Sequence, residues 1–343
     1  MIKPAVGNGN RPEAPSGALL INKHPDITSF GIIDQLQHQW MEQKGVKRRD
    51  LPKLGHGGTL DPFATGLLAV CSGRAVKLAR YFLGATKHYE GIIKFGETTV
   101  PGDPTSPISE RSDVLPKSLQ EIRDLAHRLT LQPYQQTPPM HSAKKHHGKP
   151  LYELARAGIE VEREPKTCHL LKFEILSYEN ARATFRLVCT SGTYVRTLAQ
   201  DLGKILGTVA LLEELKRTGV GIFKLDQAWT TAQIAEATAQ GKDWSELPCW
   251  VPFDRLLDGY HQAHATSDEA RALQQGRGAV LFNILKRVEP GVAANVAPVQ
   301  HSEITTMSDE QAQSCMAIYE GQKLIAVARR AEGVWSIERV FAE

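Results

Sequence analysis

The sequence lacks the features that would tie it to a membrane, an oxidising compartment or a metal cluster. None of its apolar runs approaches the roughly 20 residues needed to span a bilayer. Cys71, Cys168, Cys189, Cys249 and Cys315 are odd in number, scattered and never spaced as CxxC. That argues against a disulfide framework or a zinc site and for a reducing, cytoplasmic setting. Residues 1–17, MIKPAVGNGNRPEAPSG, lack the apolar core of a signal peptide and read as a loose polar tail. Strong net charge is missing too, at +3 over 343 residues, but the charge is uneven. Residues 1–259 carry 33 basic against 28 acidic side chains (+5), and 260–343 carry 8 against 10 (−2). A mild basic excess on the larger part is compatible with contact to a phosphate backbone. With 41% hydrophobic and 23% charged residues, the composition is globular, and the length suits two domains or one large domain with a small appendage.

What is present is concentrated in KLGHGGTLDPFATGLLAVCSGRAVK, Lys53 to Lys77. Gly55, Gly57 and Gly58 surround His56 and let another molecule approach the backbone closely. Pro62 disfavours helix at Asp61, so this carboxylate is expected on an extended loop at the mouth of the apolar strand around Leu67 to Cys71. Local chemistry leaves two readings open. One is a nucleophile or general base on a rigid loop; the other is a glycine-rich turn whose Asp bonds its own backbone.

The stretch Gly55-His56-Gly57-Gly58-Thr59-Leu60-Asp61-Pro62, with Ala64-Thr65-Gly66 and Gly73-Arg74-Ala75-Val76-Lys77, closely resembles the catalytic motif of the TruB family, the tRNA pseudouridine-55 synthases. Lys87-His88-Tyr89 with Phe95-Gly96, 28 residues after Asp61, resembles the second motif. Gly192-Thr193-Tyr194-Val195-Arg196-Thr197 resembles the third, and the likeness continues through Leu215-Lys216-Arg217-Thr218 to Phe223. Arg196 is expected in the first turn of a helix, where a cation is disfavoured by the dipole, and a carboxylate partner would explain its presence there. Pro138-Pro139-Met140, Ser142-Ala143-Lys144 and Tyr152-Glu153-Leu154-Ala155-Arg156 also fit the family, in a region that there grips the T stem-loop. Departures fall at Lys23-His24-Pro25-Asp26, at His141, and after Phe95-Gly96, where an acidic pattern is reduced to Val100…Asp103.

The resemblance implies an α+β protein with a mixed, mainly antiparallel central sheet over 18–259, an RNA-gripping insertion at about 97–165, and a small PUA-like β domain over 260–343. It implies that Asp61, Tyr89 and Arg196 are catalytic, Arg196 pairing with Asp61. It implies substrate contacts for His56, Leu215, Lys23, Gly57, Lys77 and Lys144. The implied partner is the T stem-loop of tRNA, with no membrane, no obligatory protein partner and a monomeric chain. Neither a metal nor an organic cofactor is required by a redox-neutral isomerisation. The adjacent His146 and His147 point apart with no Cys or Asp framing them, which argues against zinc. Two rival readings are a guide-RNA-dependent synthase of the dyskerin type and a tRNA-folding chaperone.

Among the elements, Leu171–Tyr178 and Ala183–Thr190 alternate as strands, and Leu198, Leu202 and Ile205 are expected to form a buried stripe. Residues 97–116, dense in Pro, Ser, Thr and Asp, read as a long surface loop. Trp229, Trp244 and Trp250 read as packing groups, and short strands are expected near 316–319, 324–328 and 334–340.

Overall fold

The computed structural model describes residues 14–140, 142, 145, 146, 148–288 and 315–341. Most of the expected tail and Lys144 lie outside the described residues. The first strand, β1 (Gly17–Lys23), takes in the last residue of that tail: Gly17 pairs with Pro252, and a Cβ there would come within 2.3 Å of the Trp250 ring. Helix α1 (Ser29–Lys44) starts at Thr28, whose side chain accepts the Gly31 N–H, and stops at Gly45, which is left-handed with φ +61°. It buries Ile32, Ile33, Leu36 and Trp40.

β2 (Leu54–His56) and β3 (Thr65–Ser72) flank the glycine-rich motif, and a 3₁₀ segment (Gly73–Leu78) leads into α2 (Ala79–Gly84) and β4 (Lys87–Phe95). The stretch expected as a loop instead begins with a hairpin of β5 (Glu97–Thr99) and β6 (Ile108–Arg111), in which Thr99, at the end of β5, and Asp103, between the strands, are buried. After α3 (Leu119–Thr130), strand β7 (Tyr134–Gln136) pairs with β10 (Lys166–Cys168). Between these two strands lie β8 (Lys145–His146), β9 (Lys149–Pro150) and α4 (Leu151–Arg156). Then follow β11 (Leu170–Glu179), β12 (Arg182–Cys189), α5 (Val195–Ile205), β13 (Ala210–Val220), β14 (Phe223–Lys224), α6 (Thr231–Ala239) and β15 (Trp250–Pro252). In α5 the buried face is Val195, Leu198, Ala199, Leu202 and Gly203; Ile205, at the last residue, is 55% exposed rather than part of the stripe.

The central sheet runs β11-β12-β4-β13-β3-β1-β15, with β2 beside β3 and β14 beside β13. It is antiparallel throughout except where β13 meets β3, and that parallel contact is confined to Lys216↔Thr65 and Arg217↔Gly66. The sheet therefore forks. The first half of β13 has no β3 alongside it, and the Leu212 N–H bonds the Gly102 carbonyl (3.0 Å) from the segment after β5. Asp61, just ahead of β3, stands at this fork.

A second sheet, β16-β17-β18-β19 (His261–His264, Cys315–Glu320, Lys323–Ala331, Val334–Val340), carries α7 (Ser267–Gln274) and α8 (Val280–Val288) on one face. Its other face contributes Ala317, Tyr319, Val327 and Phe341 to the same apolar core as β1, β3 and α1. A separate core beneath α3 and α5 holds Leu60, Tyr89, Phe185, Leu198 and Leu215.

Candidate active site

The loop carrying Asp61 is fixed residue by residue. The Gly57 N–H reaches the Ala69 carbonyl (2.9 Å), and a Cβ on Gly57 would lie 2.3 Å from that of Phe82, so no other residue fits without displacing α2. Ser29 Oγ both accepts the Leu60 N–H (2.8 Å) and donates to the Leu60 carbonyl (3.2 Å). The Pro62 carbonyl accepts the Asp26 N–H (2.9 Å) and the Lys23 ammonium (3.0 Å).

Asp61 faces Arg196, the second residue of α5. The guanidinium donates from Nε to Oδ2 (2.8 Å) and from Nη2 to Oδ1 (3.2 Å). Its remaining side donates to the Pro101 carbonyl (2.9 Å) and lies 3.4 Å from Asp103 Oδ2. Arg196 is 3% exposed, whereas about a third of the Asp61 side chain (32%) is open to solvent. A cation that the helix dipole disfavours is thus held between two carboxylates. Asp103 is itself anchored by Thr105, whose N–H and hydroxyl both meet Oδ1. Burial pushes the Asp61 carboxyl above its ordinary value and Asp103 adds to this, while Arg196 and Lys23 pull it back.

Tyr89, on β4, lies in the core beneath α5 with Leu60 and Leu215, and burial raises its phenol to about 12. Its hydroxyl bonds Arg217, on β13, which is 1% exposed. Arg217 also donates to the carbonyls of Leu67 (2.8 Å) and Gly58 (3.0 Å), so one guanidinium joins β3, the glycine loop and Tyr89. Burial lowers the pKa of Arg217.

Lys23 is fully buried, and its three donors are taken by the carbonyls of His24, Ile27 and Pro62. Burial lowers it to about 8, and with its three donors on carbonyls it braces the Asp61 loop from beneath. His56, at the end of β2, is half-buried, and burial followed by the field of Arg217 depresses its imidazole. Lys77 is exposed beyond the Ser72 end of β3, the opposite end from Asp61, and does not join this cluster.

Sequence reasoning did not single out Asp103, Arg217 or Tyr194 as site residues. Asp103 was hidden in a segment whose composition is that of a loop. Arg217 alternates inward with Leu215 along β13, a cue that was available. Tyr194 stands at the start of α5, half-buried in the field of Asp61 and Arg196. A cleft of about 480 Å³ bordered by Phe63, Thr65, Leu215 and Lys216 adjoins the site, but Asp61, Tyr89 and Arg196 do not line it.

A forked mixed sheet with a carboxylate loop at the fork is the pseudouridine synthase fold. A chain in a crystallised Cbf5–Nop10–Gar1 complex shares it, with a TM-score of 0.61 at 20% identity over 92% of this chain and 78% of that one. Closer relationships come from sequence. Residues 44–195 match the model of the TruB family pseudouridylate synthase N-terminal domain, and 196–273 that of the tRNA pseudouridylate synthase B C-terminal domain. The tRNA pseudouridine synthase B of Thiobacillus denitrificans is 41% identical over 77% of this chain and 84% of its own length. That of Bordetella pertussis is 42% identical over 68% of this chain and 94% of its own. The chain belongs to the TruB family of pseudouridylate synthases.

Proposed function

We propose that this protein is a stand-alone tRNA pseudouridine synthase, converting uridine 55 of the T loop to pseudouridine in the cytoplasm as a monomer. The observation that carries the proposal is the two-point Arg196–Asp61 contact: a solvent-reachable carboxylate held in one orientation beside Tyr89, in a member of this family. In the reaction the N1–C1′ bond breaks, the freed uracil turns, C5 bonds to C1′, and the C5 proton is lost as N1 regains one. Asp61 acts at the ribose, attacking C1′ or taking the C2′ proton, and either role needs the ionised form that Arg196 favours.

The base must first leave its stack, at a cost of a few kcal/mol. Tyr89 stacks on it, Leu215 closes its apolar side, and His56 fills the space it vacates. Gly57 permits the close approach of the RNA, and Lys77 and Lys144 meet phosphates along the arm, where single-stranded loops are read by shape. Lys23 and Arg217 keep the loop and Tyr89 in place. The test is tritium release from tRNA labelled at uridine C5, with the purified chain and no guide RNA. One tritium per tRNA mapped to the T loop, absent with Asp61→Asn, is expected. Tight tRNA binding without release would overturn the proposal.

A further inference from the structure

Helix α5 carries Arg196 but begins without a side-chain cap of its own. Tyr194 occupies the cap position in an extended conformation, and its phenol cannot accept from the first turn as Ser, Thr, Asn or Asp would. The missing support comes from another element. Gln136, the last residue of β7, accepts the Tyr194 N–H at Oε1 (2.7 Å) and donates from Nε2 to the Tyr194 carbonyl (2.9 Å). A side-chain amide thus pairs with both backbone groups of one residue, as a neighbouring strand would.

Gln136 is 1% exposed, and Nε2 also reaches the Tyr134 hydroxyl (3.3 Å), which donates to Asp201 about two turns beyond Tyr194 along α5 (2.5 Å). The short β7–β10 pair is therefore fastened to the helix at two points. These are also the strands through which the chain leaves for residues 137–165 and returns.

We propose that Gln136 is a positioning residue linking the RNA-facing insertion to the Asp61–Arg196 pair, an inference that rests on the function proposed above. Arg196 follows Tyr194 by two residues, and its fork meets Asp61 at two points, a geometry that tolerates little displacement. A force on the insertion reaches the first turn of α5 through the Gln136 amide. RNA seated on the insertion in this way sets the aim of the catalytic carboxylate, and RNA that fails to seat leaves it unset.

The experiment measures single-turnover tritium release at saturating enzyme, with tRNA affinity measured separately, for wild type, Gln136→Met and Gln136→Glu. Met removes both contacts to Tyr194; Glu keeps the acceptor for its N–H. Release should slow at least about 10-fold in Q136M, the equivalent of one lost buried hydrogen bond, and less in Q136E, with Kd within about twofold of wild type in both. Tyr134→Phe, which keeps the Gln136–Tyr194 pair, should release within about threefold of wild type even where its Tm falls.

Weakened Kd with unchanged saturated release would overturn the proposal, making Gln136 an RNA-binding or structural residue. Equal slowing in Y134F and Q136M would overturn it as well. If Q136M does not fold, Q136E decides: slower release at unchanged Kd supports the link, and wild-type release removes it. Absence of release from wild type would instead strike the proposed function itself.

Discussion

At the scale of single residues, the site gathers the buried cations Lys23, Arg196 and Arg217 around the carboxylates of Asp61 and Asp103, and its pH behaviour follows from that. Because burial and Asp103 raise the Asp61 carboxyl while Arg196 and Lys23 lower it, activity should fall on the acid side with an apparent pKa above the ordinary aspartate value of 3.8. Arg196→Met should move that limb further up, which a pH series of single-turnover rates would detect. Lys23 sets the alkaline side. Its folded pKa of about 8 lies below the ordinary lysine value of 10.5, so above about 8 it is neutral in the folded chain and still charged in the unfolded one. Stability then rises with pH in this window. A neutral amine, however, has two donors for three carbonyls, so the Asp61 loop loosens. Activity should decline above pH 8 while the urea midpoint does not.

Arg217→Met leaves the Leu67 and Gly58 carbonyls unpaired in the interior, and should cost about 3 kcal/mol in urea unfolding besides slowing tritium release. The Asp61–Arg196 pairing was legible in the sequence because each residue sits in a motif of contrasting residues. Lys23 was legible as a position but not as a brace, since burial of an ammonium under three carbonyls is set by a loop 39 residues away.

At the scale of elements, long strands with alternating patterns, such as β11 and β12, were readable. Three-residue strands such as β5, β7 and β10 carry too few side chains for a period to emerge, and the partners that make them strands are distant in sequence. The consequence was largest after β5. A segment rich in Pro, Ser, Thr and Asp has the composition of a surface loop, yet Gly102 bonds Leu212 of β13 at the fork and Pro101 and Asp103 meet Arg196. Asp103→Asn keeps the shape and removes the charge. It should slow release roughly 10-fold by freeing Arg196 from its second carboxylate, with tRNA affinity unchanged in a filter-binding assay.

At the scale of the whole molecule, the second sheet completes the first domain's core. Ala317, Tyr319, Val327 and Phe341 pack with α1, β1 and β3, and Phe253 stacks edge-on against Phe341 (5.1 Å). The polar seam beside them is half-buried: Glu338 accepts from the Tyr81 hydroxyl (2.7 Å) and meets Arg80 (2.8 Å). Glu338→Gln breaks the charge pairing and should lower stability by about 3 kcal/mol in urea titration. Ending the chain after Gly259 should yield aggregating protein on size exclusion, because that face of the core is opened to water.

The short helix α2 stands between the two parts of the chain. Arg80 and Tyr81 are joined to Glu338, and the next residue, Phe82, fills the place beside Gly57 that a side chain would need. The glycine loop is therefore completed by a strand that is synthesised 257 residues after Tyr81. A loop near the front of the sequence thus waits, as the chain folds, on a contact that only the second sheet supplies.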